Sequence, residues 1–262
     1  MGFLFGLVIA VGSLFAAALH LNQEAKHFWD FVAFACVMGG TVAVAVMTIP
    51  WQYRRLVGAA ALSLFRGSSK EDGAIVVESI DFMRAMQNGT VDFAPSTSVA
   101  GEILRDGMEL VSLGFTKEKI HTILEERILQ SFERSQKVAN SIRALAKYPP
   151  AFGLAGTVLG LVTLMRKVSE GADAKQTGIL MAIALMATFY GLLVSNLLIN
   201  PAGEFLVKNA LADRKKAEIA LHSILLYLEG ASLLEAQEVL NCYVTKESRV
   251  NVVAVDSTAE AA

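Results

Sequence analysis

Residues 148–201, YPPAFGLAGTVLGLVTLMRKVSEGADAKQTGILMAIALMATFYGLLVSNLLINP, hold two apolar stretches bracketed by prolines and joined by a short polar turn. Lipid supplies no hydrogen bonds to a peptide backbone, so apolar stretches of this length can cross it only as helices or in a closed barrel. The length and the flanking prolines predict two helices that run up and back down. The first covers about residues 150–165 and the second about residues 176–199, and at roughly 1.5 Å per residue they cross most or all of a hydrocarbon core about 30 Å thick. Neither contains an Asp, Glu, Lys, Arg or His between those limits.

Both stretches carry a stripe of small residues. At about 100° per residue, Gly153, Gly156, Thr157, Gly160 and Leu164 share one face of the first helix, and Ala184, Ala187, Thr188, Gly191 and Ser195 share one face of the second. Small residues let helix backbones approach closely in lipid, and hydroxyls supply hydrogen bonds that lipid cannot. These faces therefore point at protein or at a narrow pore. Thr157 and Thr188 occupy matching places, which suits either simple helix packing or a hydrogen-bonding station for an ion or a water.

With 54% hydrophobic and 18% charged residues, the chain is too apolar for an ordinary soluble domain. Its net charge of −2 creates no field for nucleic acid, and no nucleic-acid-binding motif occurs. Residues 3–21 form a first span. No Lys or Arg precedes it, so it reads as a retained helix and not as a signal peptide. A second span over about residues 28–49 ends at Pro50, and Trp51, Tyr53, Arg54 and Arg55 follow as an interfacial aromatic and basic group.

Charge distribution orients these spans. Segment 51–147 carries thirteen Lys or Arg and the part after Pro201 carries six, against Lys26, Arg166, Lys167 and Lys175 in the two short turns. The positive-inside rule places the long loop, the C-terminal part and the N-terminus in the cytoplasm.

The inner loop reads as helical throughout. A helix over 71–87 stops at Asn88-Gly89, a second over 98–113 stops at Gly114, and Thr116 caps a third. The apolar positions Ile120, Ile123, Leu124, Ile128, Phe132, Val138, Ile142 and Leu145 keep helical period, so this third helix should run about 45 Å as a stalk, with Pro149-Pro150 as its joint to the third span. A matching stalk follows Pro201, with Phe205, Leu206, Ile219, Ile224, Leu225 and Leu228 on its buried side. Gly230 stops it, and Ser232 and Glu235 make a capping box for a last short helix. The expected division is 1–50 membrane helices, 51–147 cytoplasmic helical domain, 148–201 membrane helices, 202–245 cytoplasmic helices and 246–262 a disordered tail. The fold class is all-α, a polytopic membrane protein with four transmembrane helices and a large helical cytoplasmic domain.

Chemistry-bearing motifs are sparse. His20, His27, His121 and His222 lack metal spacing, and Cys36 and Cys242 lie far apart without a redox or zinc pattern. Neither a nucleophile elbow, a phosphate-binding loop nor a carboxylate pair appears, so the expectation is no enzyme, no metal and no cofactor. Mixed charge at Arg105, Asp106, Glu109, Lys117, Glu118 and Lys119 serves either as solvated surface or as an electrostatic docking face.

The Y-x-P-A-F-G-x-x-G-T-x-x-G-L and T-x-Y-G…P stretches at 148–161 and 188–201, the GGT at 39–41 before Pro50, and RDGMELVSLGF at 105–115 resemble the flagellar stator family of MotA and PomA, within the wider group of TolQ and ExbB. The extra N-terminal pair of spans favours the stator branch, because TolQ and ExbB are similar in the last two spans but have three in all.

The resemblance implies an inner-membrane torque generator driven by H+ or Na+, with five copies around two copies of a MotB-like single-span subunit that binds peptidoglycan and supplies the ion-carrying Asp. It implies contact with the rotor switch protein FliG, for which Arg105 and Glu109 are the candidates. It also implies hinges at Pro150 and Pro201 and an ion path along Thr157 and Thr188. Ala187 stands where a second hydroxyl often occurs, which leaves H+ against Na+ open. A TolQ- or ExbB-like energising subunit of another envelope machine is the alternative. A self-contained transporter would need a charged or strongly polar site at mid-membrane.

Overall fold

The computed structural model describes residues 2–20, 30–66, 72–89 and 95–252, which are helical with no strand among them. The helices are α1 Gly2–His20, α2 Phe31–Thr48, α3 Trp51–Arg66, α4 Asp72–Asn88, α5 Val99–Ser112, α6 Lys117–Leu145, α7 Tyr148–Ser169, α8 Ala174–Leu193, α9 Asn200–Leu228 and α10 Leu233–Asn241. A π-helical segment, Val194–Ile199, lies between α8 and α9. The chain divides into two compact units, Met1–Ser68 with Lys137–Val207 and Ser69–Gln136 with Lys208–Ala262. The divisions fall inside α6 and α9, so each of these 29-residue helices serves both units.

Local chemistry sets the helix ends. Asp30 caps α2, its carboxylate accepting from the backbone N–H groups of Val32 and Ala33 at 2.8 and 3.0 Å. Ile49, just before Pro50, is extended at φ −86° and ψ 118°, the geometry that the proline ring imposes on its predecessor. Asp173 caps α8 by accepting from Gln176 N–H at 2.7 Å. The ends of α5, α7 and α9 share one device. Gly114, Gly171 and Gly230 have positive φ, and the N–H groups of Phe115, Ala172 and Ala231 reach back to the carbonyls of Leu110, Lys167 and Leu226. This is the Schellman closure, which glycine adopts without a Cβ penalty.

The first unit holds the apolar helices. By length and composition α2, the run Lys117–Ser169 and the run Ala174–Leu228 each contain a stretch able to cross a membrane, and α1 adds 19 residues without Asp, Glu, Lys or Arg. α2, α7 and α8 pack on one another. Their outer surfaces leave Phe31, Val42, Met47, Leu154, Val162, Ile179 and Leu185 exposed. Such a surface is stable in hydrocarbon and would be a liability in water. At the other end of the unit, Val138, Ile142 and Ala202 form a small buried cluster with Tyr53, Leu56, Val57, Phe205 and Leu206 against it. Residues 51–66 therefore group with the membrane helices by contact, as do 137–147 and 202–207. The expected boundaries at 50/51, 147/148 and 201/202 follow hydropathy and do not coincide with these compact units.

The second unit has an apolar core of its own. Ile75, Val76, Ile80, Phe82 and Met83 from α4 meet Ile103 and Leu104 from α5, Ile120, Leu124 and Ile128 from α6, Ile219 and Ile224 from α9, and Leu240 from α10. The α6 and α9 residues are those that helical period placed on the buried side. The expected tail from 246 needs correction at its start. Lys246–Ser248 is a 3₁₀ turn, Asn241 exchanges hydrogen bonds with Val250, and Gln237 bonds Asn251 and Val252. Buried amide side chains need partners, and here the following backbone supplies them. Residues 253–262 lie outside the described residues.

Candidate functional site: the α7–α8 seam

The two small-residue stripes face each other. A Cβ built on Gly156 would stand 2.8 Å from Ala187 Cβ, one on Gly160 2.6 Å from Ala184 Cβ, and one on Gly153 2.7 Å from the Ala187 carbonyl oxygen. At the end of the seam nearer the start of α7, a Cβ on Gly191 would stand 2.5 Å from the Pro149 carbonyl oxygen and 3.0 Å from Pro150 Cα. Real Cβ atoms essentially never approach backbone this closely, so the stripes are occupied by α7–α8 packing inside one chain. The expectation that they point at protein holds, but the protein is the neighbouring helix of the same chain.

Thr157 and Thr188 meet in this seam with hydroxyl oxygens 2.5 Å apart. Thr157 Oγ1 also lies 3.1 Å from the Gly153 carbonyl and 3.0 Å from the Ala184 carbonyl, and Thr188 Oγ1 lies 3.3 Å from the Gly153 carbonyl. Two hydroxyl protons thus face one hydroxyl–hydroxyl contact and two carbonyls. Each arrangement of the protons leaves lone pairs on the half-buried oxygens. The pair can pass a hydrogen bond or lend oxygen ligands to a cation, but hydroxyls do not titrate near neutral pH.

Around the pair, α2 completes the bundle. The Phe152 ring packs where a Cβ on Gly40 would stand. Thr41 is buried and donates to the Val37 carbonyl at 2.7 Å. Tyr190 Oη accepts from Asp30 N–H at 2.9 Å, and its ring meets Phe34 edge-on. A cleft of about 310 Å3 opens between the three helices, its lining including Asp30, Ala33, Cys36, Gly156, Ile183 and Ala187.

The hinge candidates differ in local structure. Pro149 and Pro150 stand in the first turn of α7, where a missing N–H costs nothing because those donors have no intrahelical partner. Pro201 does not end a helix, since α8, the π segment and α9 run on from 174 to 228. An interior proline would strand a carbonyl and collide with the preceding turn. The π turn widens the backbone just ahead of it, with Asn200 N–H donating five residues back to Ser195.

At the same level Ser195, only 4% exposed, donates its hydroxyl to the Ala146 carbonyl in the turn before α7 at 2.5 Å. Arg143 and Glu204 pair at 3.0 Å beside Gly203, which lies against the Arg143 backbone. The stripe included Ser195 but gave no sign of this role. A lone hydroxyl in an apolar run was the signal available.

Arg105 and Glu109 are not brought to this seam. They lie in the second unit, both exposed and one turn apart on α5. Their neighbour Asp106 pairs with Arg127 at 2.6 Å. No group of His, Cys, Asp and Glu suited to a metal ion occurs among the described residues.

Helices of this length and apolarity, packed through small residues, define a polytopic all-helical membrane protein. Residues 96–218 match the model of the MotA/TolQ/ExbB proton channel family. Over 88% of its length the chain is 22% identical to the chemotaxis protein PomA of Vibrio alginolyticus, covering 90% of that protein. It is 26% identical to motility protein A of Borreliella burgdorferi over 85% of each. Its fold superposes on a chain of the C. jejuni MotAB structure with a TM-score of 0.83, at 19% identity, covering 96% of this chain and 98% of that one. A chain of the flagellar MotAB stator complex from Bacillus subtilis gives 0.82, at 18% identity, over 97% and 100%. Over residues 96–218 the chain is thus similar to the MotA/TolQ/ExbB proton channel family, and over most of its length to proteins of the MotA and PomA kind.

Proposed function

We infer that this chain is the ion-channel-forming stator subunit of a bacterial flagellar motor, a non-enzymatic protein that turns ion flow into torque. One observation carries the mechanism: the α7–α8 seam has hydroxyls and no titratable side chain. A bare charge at the centre of a bilayer costs at least about 2.5–3.5 kcal/mol, and hydroxyls cannot carry a proton through a cycle. The carboxylate must come from a second polypeptide.

A MotB-like single-span, peptidoglycan-binding subunit supplies that group, with five copies of this chain around two of the partner in the inner membrane. The second unit and the Lys- and Arg-rich segments lie in the cytoplasm, where α5 meets a rotor switch protein of the FliG kind through Arg105 and Glu109. Thr157 and Thr188 border the ion path at the edge of the seam, and Pro150 and Pro201 pass motion from the membrane helices to α6 and α9. The ion is H+ or Na+, and no cofactor takes part.

The test is reconstitution. Vesicles holding this chain alone should show no ion flux above empty vesicles under a pH or sodium gradient, and adding a MotB-like partner should open one. Robust flux from the lone chain would overturn the partner requirement and the stator reading built on it.

A further inference from the structure

The inner end of α2 carries an arrangement that ion transport does not use. Along α2, Val42, Val46 and Met47 are exposed, Met47 at 83%. Directly after Pro50, Trp51 is 82% exposed, and the Arg54 guanidinium lies over its ring, 4.6 Å from the centroid. Arg54 also donates from Nη2 to the Val46 carbonyl at 2.5 Å and from Nε to the Ile49 carbonyl at 3.3 Å. Its position is thereby locked at the carbonyl end of α2, where the helix dipole favours a cation. Trp51, Gln52, Arg54 and Arg55 line a cavity of about 430 Å3. Among the described residues no acidic residue lines it, Arg55 and Gln52 are exposed, and neither side chain has a hydrogen-bond or ion-pair partner.

We propose that this cavity is a binding site for the phosphate of an anionic phospholipid of the inner leaflet, with the acyl chains lying along Val42, Val46 and Met47. Three observations select that ligand. Two guanidiniums with free N–H donors suit a phosphate, to which arginine binds with paired hydrogen bonds. The described lining residues include no carboxylate to pair with the cationic head of a zwitterionic lipid. The hydrogen bond from Arg54 to Val46 makes the basic pocket continuous with the apolar face, so headgroup and tails are met together. A free phosphate would use only the first of these features. Trp51 marks the depth, since an indole prefers the boundary between hydrocarbon and water.

The experiment uses the full chain with its partner subunit, purified in detergent. Phosphatidylglycerol and phosphatidylcholine of equal acyl composition are titrated and followed by native mass spectrometry and thermal melting. The wild type should retain phosphatidylglycerol in preference and melt at a higher temperature with it. Arg55→Gln should weaken that retention about fivefold, the worth of one basic residue at a lipid surface, and adding Gln52→Ala should bring it near the phosphatidylcholine level. Because neither side chain has a partner among the described residues, both variants should melt like the wild type without lipid. Lys175→Gln, at the opposite turn, should leave retention unchanged. Equal retention of the two lipids by the wild type would overturn the proposal, as would undiminished phosphatidylglycerol binding by the double variant. Stabilisation by glycerol 3-phosphate as large as that by the lipid would also overturn it, by showing a site for the free anion.

Discussion

Ser195 Oγ donates to the carbonyl of Ala146 across the junction where α6 gives way to α7 and α8 to the π segment. The bond joins the two places at which the membrane helices pass into long helices shared with the second unit. Ser195 also lends its own carbonyl to Asn200 N–H. One residue thus couples the α6–α7 turn to the wide turn that accommodates Pro201.

Ser195→Ala should therefore cost about 1–3 kcal/mol, because it leaves the Ala146 carbonyl without its side-chain partner in a buried setting. The expected signature is a lowered melting temperature of the purified complex and a torque loss larger than any loss of ion conductance. Wild-type melting and rotation together would reduce the contact to an incidental one.

Thr157→Ala and Thr188→Ala should each change stability little, since interhelical hydrogen bonds in membranes average about 0.6 kcal/mol. If the pair borders the ion path, either variant alters swimming speed as a function of sodium concentration or pH. The double variant should then add little beyond the larger single effect, as expected for groups acting as one unit. Speeds that follow the wild type at every sodium concentration and pH would assign the pair to packing alone.

The two proline sites should respond differently. Pro150→Ala replaces a first-turn residue and should preserve assembly and melting. Pro201→Ala supplies an N–H that lets the π segment tighten toward α-helix, so rotation should fall more than ion leak does while expression is kept. Parallel loss of assembly and function in Pro201→Ala would leave only a structural role for that residue.

Reversing charge on α5, with Arg105→Glu and Glu109→Lys together, should leave melting and membrane assembly unchanged, because both side chains are exposed and form no ion pair among the described residues. Motility in soft agar should be abolished if they dock the rotor. Normal motility of the reversed variant would mark them as solvated charges.

Helix positions were legible in the chain because their causes are local. Gly89, Gly114 and Gly230 have the positive φ that a helix stop requires, Ser232 accepts from Glu235 N–H as its capping spacing implies, and the period of apolar residues marked the buried sides of α6 and α9. Proline was legible only in part. A proline read as a boundary is one at α7, whereas at Pro201 the helix continues through a π turn, and only the neighbouring backbone decides between those outcomes. The ordered start of the C-terminal segment was also hidden, because Gln237 and Asn241 meet their partners through side-chain geometry that no periodicity records.

Hydropathy and the spacing of small residues by themselves determined an all-helical membrane protein with two matched faces and two matched hydroxyls, since both follow from what lipid permits a backbone to do. The tertiary structure alone decided that those faces meet each other, that Thr157 touches Thr188, and that Ser195 reaches Ala146. A stripe states how closely a helix can be approached, and only the packed chain states by what.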